Sequence, residues 1–209
     1  DSQFSADMNS PGLKRVEDVS FLRTHQFAED AGPMAHPVRP DSFIEISNFY
    51  TLTVYEKGAE VVRMLHTLLG HDLFIAGAKY YFDKHDGQAV TCDDFVSAME
   101  QVSERDLTQF RRWYEQSGTP DLIIDDQYDP VARRVTLTVT QNNGQSAEGA
   151  SKPPLHLPVA IGLVVKGQAH TFEEGSSTRL LEVTEANQVF EVDNVEDKPV
   201  VSLLRGFSA

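Results

Sequence analysis

The residue most able to do chemistry in this chain is Tyr55, in the run Asn48-Phe49-Tyr50-Thr51-Leu52-Thr53-Val54-Tyr55-Glu56-Lys57-Gly58-Ala59-Glu60-Val61. The run reads as the start of one long helix entered through a threonine-rich turn. Val54, Val61, Val62, Leu65, Leu68 and Leu69 recur at helical spacing and predict a buried face. A phenol ordinarily stays protonated at neutral pH and, held on a rigid helix, can donate a hydrogen bond to an oxygen that becomes negative during a reaction. Glu56, in the same first turn, suits the positive end of the helix dipole. Spacing alone leaves two readings of Tyr55 open: such a donor, or a core tyrosine beneath the helix entry.

The other reactive side chains form no complete constellation. His36 precedes Pro37 in a proline-rich loop, where a structural hydrogen bond is its expected role. His66 and His71 lie five residues apart, about 140° round a helix, so they cannot grip one ion from one face. No histidine is followed by glutamate, which excludes the His-Glu-x-x-His zinc motif, and no nucleophile elbow, phosphate loop or dinucleotide fingerprint occurs. His71-Asp72 and His85-Asp86 read as helix-end and turn residues. Glu56 and Glu60, near Lys57 and Arg63, read as a solvated face. Cys92 lies in Thr91-Cys92-Asp93-Asp94, where acidic neighbours would raise a thiol pKa and disfavour nucleophilic use.

The elements that would position these groups change character along the chain. Helices are predicted over 13–24, with Leu13, Val16, Val19, Phe21 and Leu22 available for burial, and over 71–81, with Leu73, Phe74, Ala76 and Tyr80 facing in. Another opens at Thr91 as N-cap and runs through Phe95, Val96, Met99 and Val102. A fourth spans 107–116, capped by Asp106, with Leu107, Phe110, Trp113 and Tyr114 buried. Residues 26–41, with three prolines in eight residues, read as irregular. Ser117-Gly118-Thr119-Pro120 closes the helical part. Beyond it come runs rich in β-branched residues, at 122–124, 135–140, 157–165, 180–183, 189–192 and 200–204. Turns such as Asn142-Asn143-Gly144, Lys166-Gly167 and Glu174-Gly175-Ser176 separate them, and 144–154 reads as flexible. Six or seven short strands in about 90 residues predict a small antiparallel β-sandwich, with Phe172 and Phe190 in its core. The expected fold is α+β in two domains, 1–120 helical and 121–209 sandwich.

Composition narrows the function classes. The 209 residues carry a net charge of −14, with 11 basic against 19 acidic side chains in residues 1–120 and 7 against 13 in 121–209. Neither half has the basic footprint of a nucleic-acid binder. No apolar run approaches the roughly 18 residues of a membrane span. One cysteine gives no disulfide framework and is compatible with a reducing compartment.

Gln26-Phe27-Ala28-Glu29-Asp30, Pro33-Met34-Ala35-His36-Pro37-Val38-Arg39-Pro40, the run 48–61, His66-Thr67-Leu68-Leu69-Gly70, Thr91-Cys92-Asp93-Asp94-Phe95-Val96 and the run 110–120 together resemble the M1 family of zinc aminopeptidases, most closely its bacterial members. The ending Leu203-Leu204-Arg205-Gly206-Phe207-Ser208-Ala209 fits the same family. The resemblance implies the C-terminal part of a thermolysin-like catalytic domain followed by an Ig-like β-sandwich. It implies that Tyr55 donates its hydroxyl to the oxyanion of the tetrahedral intermediate and that Tyr50 lines the pocket for the substrate's first side chain. It implies peptide substrates and a cytoplasmic parent enzyme. The family's zinc ligands and amino-end-binding segment would lie upstream of Asp1, and its large helical domain beyond Ala209. No metal ligand is therefore expected here, and the isolated chain is expected neither to bind zinc at an enzyme site nor to cleave peptides. The alternative is a non-catalytic scaffold or binding module that keeps the fold without the metal half.

Overall fold

A computed structural model describes residues 5–6, 8–146, 149–172 and 175–209. Glu174 of the predicted 174–176 turn, and residues 147 and 148 of the segment read as flexible, lie outside them. The helical part comprises α1 (Pro11–Phe21), α2 (Phe27–Asp30), α3 (Gly58–Leu69), α4 (His71–His85), α5 (Cys92–Ser103) and α6 (Arg112–Glu115). Among the described residues seven strands follow: β1 (Asp121–Asp129), β2 (Arg134–Asn142), β3 (Leu157–Val165), β4 (Gln168–Ala169), β5 (Arg179–Val183), β6 (Asn187–Val192) and β7 (Val200–Ser202).

Helix α1 does not stop near Thr24. A π-helical turn at Leu22–Gln26 carries it into α2, so the helical path runs to Asp30, inside the stretch read as irregular. Its expected apolar face is largely outward: Leu13 is 64% and Val16 57% exposed, and only Leu22 of the named set is buried. The face that packs carries Arg15 instead, whose guanidinium grips both carboxylate oxygens of Glu60 at 2.6 and 2.5 Å. A second π-helical turn, Thr53–Lys57, opens α3. Because a π turn holds more residues than an α turn, it shifts the inward face. Thr53 and Lys57 are buried there, while Val54 and Val62 are only half-buried.

Helix α4 extends to His85 and turns Phe74, Gly77 and Ala78 toward α5, leaving Leu73 and Ala76 exposed. Thr91 caps α5 as expected, in a reciprocal box with Asp94. Residues 107–111 are not α-helical. Backbone bonds from Trp113 to Phe110 and from Tyr114 to Arg111 close three-residue turns, leaving four residues of α6. Leu107, Phe110 and Trp113 are spaced by three, so a three-residue turn buries all of them together with Tyr114.

The strands form two antiparallel sheets. One has the order β1-β2-β6; in the other β3 pairs with β5 along its first half and with β7 and β4 along its second. In β2, Val135, Leu137 and Val139 are fully buried while Thr136, Thr138 and Thr140 are half-buried, as the alternation requires. Strand β3 is buried at seven consecutive positions, because α3 packs against it. Within β3, Gly162 lies under the Arg205 side chain, where a Cβ would collide with the guanidinium group. Phe172 is buried and Phe190 packs against the same core.

One hydrophobic cluster runs through both parts, joining Leu65, Leu68, Met99, Phe110 and Trp113 to Val139, Leu157, Ile161 and Leu181. Polar contacts follow the same seam. The Trp113 indole N–H donates to the His156 carbonyl at 2.9 Å, and the Gln109 amide donates to the carbonyls of Pro154 and Thr184. Glu182 accepts from His156 Nε2 at 2.9 Å and pairs with Arg105, whose other nitrogen donates to the Leu68 carbonyl. The carbonyls of Gly206 and Phe207 accept from Arg63, which ties the C-terminal run to α3.

The contribution of the seam is measurable at two of its residues. Phe110→Ala should destabilise the fold by about 3–5 kcal/mol, measured by denaturant unfolding, since it empties a fully buried site. The His156 hydrogen bond, with Arg105 assisting, holds the Glu182 carboxyl below its ordinary 4.5. A carboxyl lowered on folding contributes stability that is complete above its unfolded value and lost as pH falls through the folded one. The stability difference between the wild-type chain and Glu182→Gln should therefore be full at neutral pH and vanish on acidification below pH 4.5. A pH-independent difference would contradict this.

Candidate active site

Thr51 builds the entry to the central helix. Its hydroxyl accepts from the Val54 amide at 3.2 Å and its carbonyl from the Tyr55 amide at 3.2 Å, ordering the first turn. His36 holds Thr51 from the side. Its Nδ1 lies 2.8 Å from the Met34 carbonyl, so Nδ1 carries a proton. In the neutral ring Nε2 is then an acceptor, and it takes the Thr51 hydroxyl proton at 2.8 Å. The structural hydrogen bond expected for His36 is present.

The turn presents Tyr50 and Tyr55 outward, each 59% exposed, with their rings stacked at 6.3 Å between centroids and 25° between planes. Within this chain Tyr55 is exposed rather than buried beneath the helix entry. Phe49 meets Tyr50 edge-on at 6.0 Å and Phe43 meets Phe49 at 5.8 Å, so four rings run in contact from Phe43 to Tyr55.

Beneath the tyrosines lies a polar network that the sequence reading missed. The two π-helical turns face one another: the Gln26 amide donates to the Thr53 hydroxyl at 3.3 Å, and that hydroxyl donates to Glu29 at 2.6 Å. Glu29 also accepts the Thr53 backbone N–H at 2.8 Å, placing a carboxylate at the helix entry where the dipole favours it. One turn further on, Asp30 accepts from the Lys57 ammonium at 2.7 Å, in an ion pair whose side chains are 0% and 8% exposed. Lys57 is therefore not part of a solvated face, and neither is Glu60, which is held by Arg15. Burial pushes the Lys57 pKa down from its ordinary value, and Asp30 opposes that shift.

The same pair reaches the loop between the two parts. Asp30 Oδ1 accepts the Gly118 amide at 2.7 Å, and Lys57 also donates to the Gly118 carbonyl at 3.0 Å. Gly118 sits at φ +89°, a conformation that a side chain resists. Gln26, Glu29 and Asp30 stand at i, i+3 and i+4, which puts them on one helix face. That polar spacing was the available signal, and it was hidden because the stretch read as loop.

The remaining candidates separate from this site. Gly70, at φ +76°, separates the central helix from the one expected to start at His71, and across that break the ring nitrogens of His66 and His71 approach to 3.4 Å, closer than the helical spacing of about 140° implied. His71 begins α4 and His85 ends it, as helix-end residues. Burial pushes the Cys92 thiol up, with Asp93 adding and Arg39 opposing. Among the described residues no three His, Cys, Asp or Glu side chains converge where they could hold a metal ion, so they do not fit a zinc site. No helix among them is long and apolar enough to cross a membrane. A cavity of about 570 Å³ adjoins the buried network, lined by Gln26, Lys57 and Thr119 together with Leu22, Met64 and Phe207 among others; neither tyrosine lines it.

Comparison with known proteins places this chain in a family. Residues 3–114 match the peptidase family M1 domain, and residues 118–209 match a domain of unknown function with an Ig-like fold (DUF3458). The chain is 51% identical over 212 residues to aminopeptidase N of Escherichia coli strain K12, and 49% identical over 212 residues to that of Haemophilus influenzae. Each alignment covers all of this chain and 24% of the relative, so the chain spans about a quarter of their length. Among solved structures, Legionella pneumophila aminopeptidase A in complex with aspartic acid superposes with a TM-score of 0.72 at 29% identity, over 83% of this chain and 19% of that one. The helical half matches the peptidase domain and the antiparallel sheets match the Ig-like one: the chain belongs to peptidase family M1.

Proposed function

We propose that this chain is part of a zinc-dependent, cytoplasmic aminopeptidase that removes N-terminal residues from peptides. Residues 1–120 supply part of its catalytic domain, and 121–209 a sandwich domain behind it. Tyr55 donates its hydroxyl to the carbonyl oxygen of the scissile bond as that oxygen becomes negative, and Tyr50 forms a wall for the substrate's first side chain. The observation that carries the reading is the pairing of exposure with rigidity at Tyr55. Its ring reaches solvent while the turn beneath it is held by Thr51, Glu29 and the buried Asp30–Lys57 pair. A donor fixed before the reaction needs no reorganisation as charge develops, which makes such donors effective. The described side chains do not assemble a zinc site, so the metal ligands are assigned to the remainder of the longer parent, together with the groups that bind the substrate's amino end.

The test is Tyr55→Phe in the full-length parent, assayed by alanyl-anilide hydrolysis with zinc content measured alongside. Losing one oxyanion donor should lower kcat by about two to three orders of magnitude with zinc content unchanged. Unchanged activity would leave the chain as scaffold, with Tyr55 a stacking partner of Tyr50. The 209-residue chain on its own should release no N-terminal residue from a peptide in the presence of zinc. Zinc-dependent release by the purified chain would overturn the assignment of the metal ligands elsewhere.

A further inference from the structure

The loop between the helical and strand parts makes contacts that a passive tether would not need. Asp30 uses both carboxylate oxygens: Oδ2 takes Lys57 at 2.7 Å and the Thr119 hydroxyl at 3.3 Å, and Oδ1 takes the Gly118 amide at 2.7 Å. Lys57 gives a second bond to the Gly118 carbonyl, so the amide and the carbonyl of one loop residue are both engaged in the ion pair. From the strand part, Lys152 holds the preceding residue, donating to the Ser117 carbonyl at 2.8 Å and its hydroxyl at 3.3 Å. Lys57 closes the π-helical turn in which Tyr55 is the central residue. That turn is the least regular part of the helix, and its register depends on what is anchored at its two ends: Thr53 by Glu29, Lys57 by Asp30 and Gly118.

We propose that the Ser117–Thr119 loop is a positioning element for Tyr55: the Asp30–Lys57–Gly118 lock sets the π-helical turn so that the Tyr55 hydroxyl is aimed before substrate arrives, and the strand part contributes to catalysis through Lys152 and this loop. Asp30, Lys57 and Gly118 act here as positioning residues and touch no substrate. The inference rests on Tyr55 being the oxyanion donor. It assigns to the Ig-like part a role beyond packing.

A double-mutant cycle in the full-length parent tests it. Asp30→Asn combined with Lys57→Gln removes the charges together, so no unpaired charge is left buried. Gly118→Ala is the second route. A Cβ there would meet only Lys152 Nζ, at an ordinary 3.5 Å, so the strain falls on the backbone at φ +89° and the ion pair keeps its charges. Each change is made with Tyr55 and with Tyr55→Phe, and kcat, KM and zinc content are measured. In the Tyr55 background kcat should fall about tenfold or more, with KM within about twofold and zinc retained. In the Tyr55→Phe background the same change should cost less than about twofold, because the hydroxyl being aimed is already gone. Equal losses in both backgrounds, or no loss beside Tyr55, would overturn the positioning role while leaving Tyr55 as donor. Full activity of Tyr55→Phe alone would overturn the donor reading and this inference with it. If the variant combining Asp30→Asn with Lys57→Gln does not fold, Gly118→Ala decides the cycle.

Discussion

The Asp30–Lys57 ion pair is the contact on which the rest of the arrangement depends. Two opposite charges with almost no solvent access sit where α2, the π-helical start of α3 and the loop between the helical and strand parts meet. Desolvating such a pair costs several kcal/mol per ion, and their attraction offsets this only when further hydrogen bonds complete the geometry. Here those bonds come from Gly118 and Thr119, both in the loop. The pair is therefore a weak source of net stability, while removing one partner alone would leave the other charge buried and uncompensated. Any other register of the π turn would leave a charge buried without its partner.

Around that point the chain is built as one packed body rather than two tethered ones. Strand β3 is buried along most of its length because α3 packs against it, and the hydrophobic cluster passes without a break from Leu65 and Phe110 into Ile161 and Leu181. The backbone polar groups that such packing removes from water find side-chain partners across the seam. Trp113, Gln109 and Arg105 each donate to a carbonyl of another segment. A helix that carries a reactive group gains rigidity from such a floor, because its displacement would break apolar contacts and hydrogen bonds together.

Above the floor the two tyrosines are left outward. Tyr50 and Tyr55 contact each other and stay open to solvent, while Glu29 and Asp30 hold backbone amides of the turn and of the loop. Binding groups on exposed turns backed by a rigid support are common, since a buried turn would strand its own amides and carbonyls. The fold and the braced tyrosine turn thus belong to one construction. The strand half supports α3, α3 supports the π turn, and the turn carries the rings.

Much of this was readable from residue order. The alternation of Val135, Leu137 and Val139 with threonines specified β2, because a strand alternates faces whatever surrounds it. Thr91 announced the start of α5, because a cap acts through local hydrogen bonds, and Tyr55 was placed near the start of its helix by the stretch that also carried the family likeness. What tertiary structure decided were the features whose partners are far apart in the chain. Glu29 and Asp30 looked like loop residues until Thr53, Lys57 and Gly118 came within reach, and Lys57 looked solvated until Asp30 neutralised it. Leu13 and Val16 had the spacing of a buried face and are exposed, because the α1 surface that packs is set by the reach of Arg15 to Glu60. Local rules determine which elements form and roughly where they start. Burial, ion pairing and the exposure of Tyr55 are sums over distant neighbours, and no sequence window contains them.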